Sequence, residues 1–287
     1  QALLDAGAVY SLEDLLHATI VASANDAACA LAEHISGTEA AFAELMNARA
    51  AELGMNNTYY TNATGLPDDA QYTTARDVAT LSVEMCRHPD YFKHASVWMD
   101  TLTHPSGRVT DLTNTNRLVR FYEGCDGLKT GSADASRYCL SATAQKDGLR
   151  FIAIVLGAET SQKRFDEARA MLDYGFANYA AAPLPTLPER PLELAVKGSA
   201  EDSVPLDYAA LPETILIEKG TASALRAELT LPEALEAPVE KGQTVGKVSI
   251  FQDDTLLNEY EVKAAADAPL LTFGGALELL WQCLLGA

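Results

Sequence analysis

Two short polar motifs could do chemistry together, although the chain places them far apart. The first is the tripeptide S-A-N at 23–25, which offers a hydroxyl and an amide that both donates and accepts hydrogen bonds. The second is the tripeptide K-T-G at 129–131, which offers an ammonium and a second hydroxyl. These groups suit acid–base catalysis and anion binding. Each motif alone is weak evidence, because Ser23 and Asn25 could simply cap a helix and Lys129 could be a solvated strand residue.

The first motif falls at a predicted break between two helices within residues 11–37. Ser11 and Asp14 have the spacing of a capping box, and an apolar stripe follows at helical spacing. The stripe consists of Leu12, Leu15, Leu16, Thr19 and Ile20. Serine, asparagine and aspartate favour caps and turns, so residues 22–26 should interrupt the helix before an alanine-rich helix resumes and stops at Gly37.

The second motif falls in a predicted strand. Strand-like runs cover 127–130, 137–144 and 149–156, and the Asp147-Gly148 pair predicts a tight hairpin between the last two. Helices are predicted at 39–53, from the Thr74 cap to about 87, and at 161–179, with a hairpin at 97–113. Helices flanking an antiparallel sheet indicate the α+β class.

Composition divides the rest of the chain. The alanine- and proline-rich stretch 180–185 predicts a short linker, so the first domain should span 1–185. Short strand-like runs separated by turns predict a small all-β, sandwich-like domain over 186–264, and 265–287 is an apolar tail. The tail is too short to predict a membrane span with assurance. It could lie on a membrane surface or pack on its own protein.

The overall composition excludes some classes of protein. The 287 residues are 48% hydrophobic and 21% charged, which is typical of a soluble globular protein. The net charge of −19 argues against nucleic-acid binding, because such proteins need a basic surface. No cofactor or metal is predicted, because the five cysteines lack metal-ligand spacing. The histidines show no triad or metal spacing either, and we assign no role to His17, His34, His88, His94 or His104.

The order and spacing of several stretches resemble the D-alanyl-D-alanine carboxypeptidases, the low-molecular-mass penicillin-binding proteins. The K-T-G and S-x-N motifs belong to the signature of that class and of the serine β-lactamases. The matching stretches are 23–28, 53–58, 64–67, 72–77, 114–116 and 126–131, and 237–246 resembles the family's C-terminal β domain. The resemblance covers nearly the whole chain. It implies a catalytic domain with the penicillin-binding and serine β-lactamase fold, followed by the small β domain.

The resemblance also implies a function. The family removes the terminal D-alanine from peptidoglycan stem peptides through an acyl-enzyme, binds β-lactam antibiotics, and works in the cell wall or at the outer face of the cytoplasmic membrane. A tail at this position implies a possible membrane-surface contact. Two alternatives remain: a serine β-lactamase, or a wall-binding relative that has lost catalysis.

The resemblance assigns roles to individual residues. Ser23 would relay a proton, and Asn25 would hold a catalytic lysine and the peptide amide. Lys129 and Thr130 would bind the terminal carboxylate. The remaining predicted substrate contacts are Gly131, which leaves room for the peptide, Ser132, whose N–H forms part of the oxyanion hole, and Arg164, which binds the carboxylate. Some relatives carry an arginine within N-x-N, where this chain has Thr115, and Arg117 could substitute for it.

One feature departs from the family pattern. The nucleophilic serine of the family lies in an S-x-x-K motif several tens of residues before S-x-N, and no S-x-x-K occurs in this chain. We therefore expect the sequence to be truncated before the nucleophile, and the chain as given to be inactive. If one site exists, the Ser23 hydroxyl and the Lys129 amine should lie about 3–4 Å apart or share one water. The helix that carries the family's nucleophile would pack on the apolar stripe between Leu12 and Ile20, so without it we expect this stripe to be exposed beside an open cleft.

Overall fold

The structure is a computed structural model that describes residues 1–285, apart from the side chains at 223, 278, 279, 282, 283 and 285. The chain divides into two compact units, Gln1–Asn178 and Tyr179–Ala287. The first unit mixes helices with antiparallel strands, and the second unit is mostly β. The α+β class predicted from the sequence is confirmed.

The first unit carries the predicted site. Its helices are α1 (Leu12–Val21), α2 (Asn25–Ser36), α3 (Glu39–Glu52), α4 (Ala75–Cys86), α5 (Pro89–Ala95), α6 (Leu118–Phe121) and α7 (Ser161–Asn178). Its strands are β1 (Met99–Thr103), β2 (Val109–Thr113), β3 (Cys125–Ala133), β4 (Arg137–Lys146) and β5 (Leu149–Ala158). The predicted helices and strands are confirmed to within a few residues. The short helices α5 and α6 were not predicted, because so few residues carry little periodic signal.

An antiparallel sheet in the order β3-β4-β5 lies at the centre of this unit. The β4–β5 hairpin turns at Asp147 and Gly148, whose φ angles of 50° and 77° are the left-handed values that such a tight turn requires. Buried side chains of β4 and β5, including Leu140 and Val155, pack against the apolar face of α7, which includes Leu172. This packing fixes the position of β4. Because β3, the strand that carries K-T-G, pairs in register with β4, the packing also fixes β3.

The predicted break between the first two helices is confirmed. The Ser11 hydroxyl accepts the N–H of Asp14 and caps α1, which ends at Val21. Ser23 follows with a φ of 57°, a left-handed conformation that only a few non-glycine residues adopt. The predicted exposure of the apolar stripe is confirmed at Leu12, which is 56% exposed, and only in part at Ile20, which is half-buried.

The second unit contains a six-stranded sheet in the order β10-β12-β13-β8-β7-β11 and a separate pair, β6-β9. Its strands are β6 (Tyr179–Pro183), β7 (Glu193–Lys197), β8 (Ser203–Asp207), β9 (Thr214–Glu218), β10 (Leu225–Thr230), β11 (Leu235–Glu236), β12 (Thr244–Gln252) and β13 (Thr255–Ala264). A 3₁₀ turn covers Ala222–Ala224. Branched aliphatic side chains dominate the core, with Val204, Val248 and Val262 fully buried.

One prediction about the second unit is wrong. The stretch 180–185 was predicted as a linker from its alanine and proline content, but Tyr179–Pro183 pairs antiparallel with Thr214–Glu218. Small alanine side chains allow this pairing, and Pro183 occupies the last position of the strand, where a missing N–H costs little. The tertiary partner overrode the local composition.

The apolar tail contains helix α8 (Phe273–Leu285), with Phe273, Trp281 and Leu284 largely exposed. None of the helices within the described part of the chain is long and apolar enough to span a bilayer. The side chains of Leu279 and Leu285, two leucines of the apolar tail, lie outside the described residues.

Candidate active site

The two polar motifs meet in the folded chain. The Nζ of Lys129 on β3 donates a hydrogen bond to the Oγ of Ser23, at 2.6 Å, across a sequence separation of 106 residues. The same Nζ also donates to the carbonyl of Thr130, at 2.9 Å. The distance predicted from the sequence is therefore confirmed, whereas the catalytic roles of the two residues stay predictions.

The environment of Lys129 changes its acid–base behaviour. Burial, together with repulsion from the nearby guanidinium of Arg164, lowers the pKa of Lys129 to about 8. A lysine with this pKa is charged at neutral pH but loses its proton far more readily than a surface lysine. It can therefore attract a carboxylate and also take part in proton exchange with the Ser23 hydroxyl.

A loop built on the N-x-N motif holds the two sides of the site together. The N–H of Thr115 donates to the carbonyl of Val21 at the end of α1, at 3.2 Å. The buried Asn116 amide donates to the carbonyl of Gly127 on β3, at 2.8 Å. This loop thus joins the segment before Ser23 to the strand that carries Lys129. The resemblance to the family includes the motif at 114–116 but does not assign it this joining role.

Thr115 also reaches into the site itself. The Thr130 hydroxyl donates to the Thr115 hydroxyl, with a separation of 2.6 Å. Thr115, which stands where some relatives carry an arginine, therefore lies directly beside K-T-G. Arg117, the predicted substitute, is exposed at the start of α6, and its charge contributes to lowering the pKa of Arg164.

The strand β3 presents an edge that a peptide could extend. It is the outer strand of the described sheet, and Gly131 and Ser132 are exposed near its end. An exposed sheet edge with unpaired backbone groups can accept an extended peptide as an added strand. A Cβ atom at position 131 would lie 3.8 Å from the Cβ of Cys139, which is an ordinary contact distance. The glycine is therefore not needed to avoid a clash, but it leaves space beside the strand.

Arg164, the predicted carboxylate ligand, contacts the backbone of the strands behind K-T-G. It belongs to α7, is only 7% exposed, and its Nη1 donates to the carbonyls of Gly131 and Cys139 at 2.9 and 3.2 Å. These bonds join α7 to both strands behind K-T-G. The contact of Arg164 with a substrate carboxylate stays a prediction, while its contact with the strand backbone is evident.

Asn25 begins α2, two positions after Ser23, and is half-buried. Its side chain makes no hydrogen bond with another residue that the structure describes. The next residue, Asp26, accepts the backbone N–H groups of Ala2 and Leu4 at 2.9 and 3.1 Å. Asp26 thus anchors the first residues of the chain against the break that carries Ser23, a contact that its residue type alone did not indicate.

Other candidate chemistry is sparse in the described residues. No group of three or more histidine, cysteine or acidic side chains in this part of the chain is assembled to hold a metal ion. Four cysteines are free thiols, namely Cys29, Cys86, Cys125 and Cys139, and the side chain of Cys283 lies outside the description. The histidines, which received no role, include one close pair, His17 and His94, that sequence spacing did not reveal.

A serine hydroxyl at a helix break, facing a lysine on the edge strand of an antiparallel sheet, is the arrangement of the penicillin-binding class of acyl-transfer enzymes. Residues 1–160 match the family described as D-alanyl-D-alanine carboxypeptidase, and residues 190–269 match the C-terminal domain of penicillin-binding protein 5. The chain belongs to the serine-type D-alanyl-D-alanine carboxypeptidase family.

Individual relatives agree with this membership. The chain is 35% identical to the D-alanyl-D-alanine carboxypeptidase DacF of Bacillus subtilis, over 95% of this chain and 71% of that protein. It is 34% identical to DacA of Haemophilus influenzae, over 88% of this chain and 63% of the relative. The crystal structure of penicillin-binding protein 5 from Haemophilus influenzae superposes with a TM-score of 0.81 at 32% identity, covering 94% of this chain and 78% of that one.

A further solved relative was crystallised with an antibiotic. Penicillin-binding protein D2 from Listeria monocytogenes, in its ampicillin-bound form, shares 37% identity with a TM-score of 0.52, over 58% of this chain and 68% of that chain. The chain thus spans between about three fifths and four fifths of the relatives it matches.

Proposed function

We propose that these residues form the proton-relay and carboxylate-binding half of a site that removes the terminal D-alanine from peptidoglycan stem peptides. The observation that carries the proposal is the 2.6 Å hydrogen bond from the Lys129 amine to the Ser23 hydroxyl. The family membership supports the reaction class. The bond brings together a proton-transfer group and a carboxylate anchor, two of the groups that acyl transfer at a D-alanine end requires besides the nucleophile.

Ser23 is the proposed proton relay. Because Lys129 donates to its oxygen, the hydroxyl hydrogen of Ser23 is free to point away from the lysine. It can then be given to the nitrogen of the leaving D-alanine as the peptide bond breaks. The Ser23 oxygen regains a proton from the attacking serine, so it is a hydroxyl again when the acyl-enzyme has formed. In the second step this oxygen can take a proton from the attacking water while its own hydrogen passes to the departing serine oxygen, with Lys129 stabilising the developing charge.

Lys129 and Thr130 are the proposed ligands of the terminal carboxylate. The Lys129 ammonium supplies the charge, and the Thr130 hydroxyl supplies a directed hydrogen bond. In the structure this hydroxyl donates to Thr115 instead, so substrate binding must redirect its hydrogen, which rotation about the Cβ–Oγ1 bond allows. Thr115 then serves as the partner that keeps the Thr130 hydroxyl satisfied between turnovers.

The peptide backbone would align along the edge of β3. Gly131 leaves room for the incoming strand, and the N–H of Ser132 is the proposed donor to one side of the oxyanion hole. Asn25 is proposed to hold the catalytic lysine of an S-x-x-K motif and the peptide amide. For Arg164 the hydrogen bonds to the Gly131 and Cys139 carbonyls support a positioning role, in which α7 fixes the strand.

The nucleophile is not among these residues, because the 287 residues contain no S-x-x-K. We propose that a polypeptide of only these residues neither hydrolyses D-alanyl-D-alanine ends nor forms an acyl adduct. With an S-x-x-K serine in place, the site should bind β-lactams, as the ampicillin-bound relative from Listeria monocytogenes does. The proposed place of action is the cell wall or the outer face of the cytoplasmic membrane, where α8 could contact a lipid surface.

The test is D-alanine release by the full-length gene product from a peptide that ends in D-alanyl-D-alanine. Ser23→Ala should lower the rate by about 10²-fold or more, the usual contribution of a proton-transfer group. Ser106→Ala, at the exposed turn between β1 and β2, is the matched control and should leave the rate unchanged. Full activity of the Ser23 variant would remove this residue from the mechanism, and rapid turnover of a penicillin would favour a β-lactamase.

A further inference from the structure

Two histidines that the proposed function does not use meet between α1 and α5. The Nδ1 of His17 and the Nδ1 of His94 lie 3.1 Å apart, and the ring centroids are separated by 5.3 Å. The two residues are 77 positions apart in the chain, so only the packing of α1 on α5 brings them together. A short contact between the same atom of two imidazoles means that at least one of them presents a lone pair to the other.

A carboxylate indicates which nitrogen of His17 carries the proton. The Oδ2 of Asp100 on β1 lies 3.2 Å from the buried Nε2 of His17. The carboxylate oxygen lies off the ideal direction for a hydrogen bond with this nitrogen. A carboxylate at this position favours the proton on Nε2 and leaves the lone pair on Nδ1, the atom that faces His94. The same carboxylate–histidine arrangement orients histidine ligands in metal sites.

The spacing of the two Nδ1 atoms matches a shared metal ion. Zinc binds histidine nitrogen at about 2.0–2.1 Å in tetrahedral geometry, which places two ligand nitrogens about 3.3–3.4 Å apart. The observed separation is 3.1 Å, so a shift of a few tenths of an ångström suffices. We propose that His17 and His94 bind a late first-row divalent ion such as Zn²⁺, with Asp100 as the outer partner that orients His17.

The remaining coordination positions must come from water or from a side chain that moves. Glu13 lies one helical turn before His17 on α1 and Asp90 one turn before His94 on α5, so each helix presents a carboxylate and a histidine on one face. Glu13 is exposed and can rotate, whereas Asp90 is paired with Lys93 at 2.6 Å. Since no set of three ligands is preassembled in the described residues, the expected affinity is modest.

Both histidines must be neutral to bind a metal ion. The contact between the two Nδ1 atoms and the Asp100 carboxylate beside His17 determine how their protons are arranged. In the metal-free state His94 donates its Nδ1 proton to His17. On metal binding that proton moves to the Nε2 of His94, so the histidine stays neutral.

The ion would join two elements that support the site. Helix α1 ends two residues before Ser23, and the Tyr91 hydroxyl of α5 donates to the carbonyl of Leu128, next to Lys129, at 3.2 Å. A ligand that binds only the folded state stabilises it, and the stabilisation grows with the logarithm of the ligand concentration once this exceeds Kd. Zinc should therefore raise the unfolding temperature of the protein.

The test is a titration of the full-length, chelator-treated gene product with ZnCl₂ alone, followed by calorimetry and by the unfolding temperature. His17→Gln and His94→Gln should each weaken binding at least 10-fold. Asp100→Asn should also weaken it about 10-fold, the usual effect of removing an outer partner of a metal-bound histidine. His34→Gln, at an exposed position of α2, is the matched control and should bind like the wild type.

Two readouts keep the outcome unambiguous. Circular dichroism of each metal-free variant checks folding, and Asp100, whose side chain is 55% exposed, can be replaced without emptying a core. With Cu²⁺ in place of Zn²⁺, electron paramagnetic resonance should show coupling to two imidazole nitrogens in the wild type and to one in His94→Gln. Equal zinc affinity of the wild type and the folded His17 and His94 variants would overturn the proposal, as would no binding at 1 mM zinc.

Discussion

The electrostatics of the candidate site depend mainly on one side chain, that of Lys129. It is held beside the Ser23 hydroxyl and the Thr130 carbonyl, and Arg164 lies close enough to repel it. In the full-length gene product, Lys129→Ala should slow acylation by a penicillin by an amount that corresponds to about 2–4 kcal/mol, because the carboxylate loses its cation. Lys163→Ala removes an exposed lysine of α7 and should have no effect. Equal acylation rates of wild type and Lys129→Ala would show that the carboxylate binds elsewhere.

The lowered pKa of Lys129 predicts a pH dependence. The folded pKa of about 8 lies below the usual value of 10.5, so the cation is present at pH 7 and is lost as the pH rises through 8. The kcat/KM for an anionic peptide should therefore fall above about pH 8. In Lys129→Arg the guanidinium stays charged, so this fall should move beyond the measurable range. A pH profile that instead rises through 8 would mean that neutral Lys129 acts as a base.

The short connection between α1 and α2 is the element that presents Ser23. Its φ of 57° is a conformation that glycine adopts without the cost, about 1 kcal/mol or more, that other residues incur. Ser23→Gly and Ser23→Ala both remove the hydroxyl, but the glycine variant should be about 1 kcal/mol more stable than the alanine variant in urea unfolding. Both should lose acylation alike. Equal stability of the two variants would show that the connection relaxes when the hydroxyl is absent.

The N-x-N loop is the element that joins the two halves of the site. Asn116 is 1% exposed, and its side chain donates to the Gly127 carbonyl and accepts the Leu118 N–H. Asn116→Ala leaves the Leu118 N–H without this acceptor, and the Gly127 carbonyl keeps only the weak Cys125 thiol donor, which should lower the free energy of unfolding by about 3 kcal/mol. Asn56→Ala, at an exposed position after α3, should change it by less than about 0.5 kcal/mol. A small effect at position 116 would mean that water replaces the amide.

At the scale of the whole molecule, the decisive question is the nucleophile. A polypeptide of these 287 residues contains Ser23 and Lys129 but no S-x-x-K, so it should form no adduct with a fluorescent penicillin that survives boiling in detergent. The full-length gene product, labelled in parallel, is the comparison, and its labelling should be blocked by unlabelled ampicillin. Stable labelling of the 287-residue polypeptide would show that it contains a nucleophile. That result would refute the proposal that the nucleophile is not among these residues.

The sequence by itself determined the elements and the family. Helix caps at Ser11 and Thr74, the Asp147-Gly148 turn and the break before Asn25 were predictable, because each depends on local backbone chemistry. The motifs and their order identified the family, and they also predicted that Ser23 and Lys129 would meet. This prediction was possible because a small substrate forces its two partners together.

Only the tertiary structure decided how the site is held and tuned. The lowered pKa of Lys129 follows from burial and from Arg164, and the role of Arg164 behind β3 follows from the packing of α7. The contact of His17 with His94 and the pairing of Tyr179–Pro183 with β9 likewise join residues that are distant in sequence. Burial, distance and cross-strand partners are properties of the packed chain, so no local pattern of residue types could have specified them.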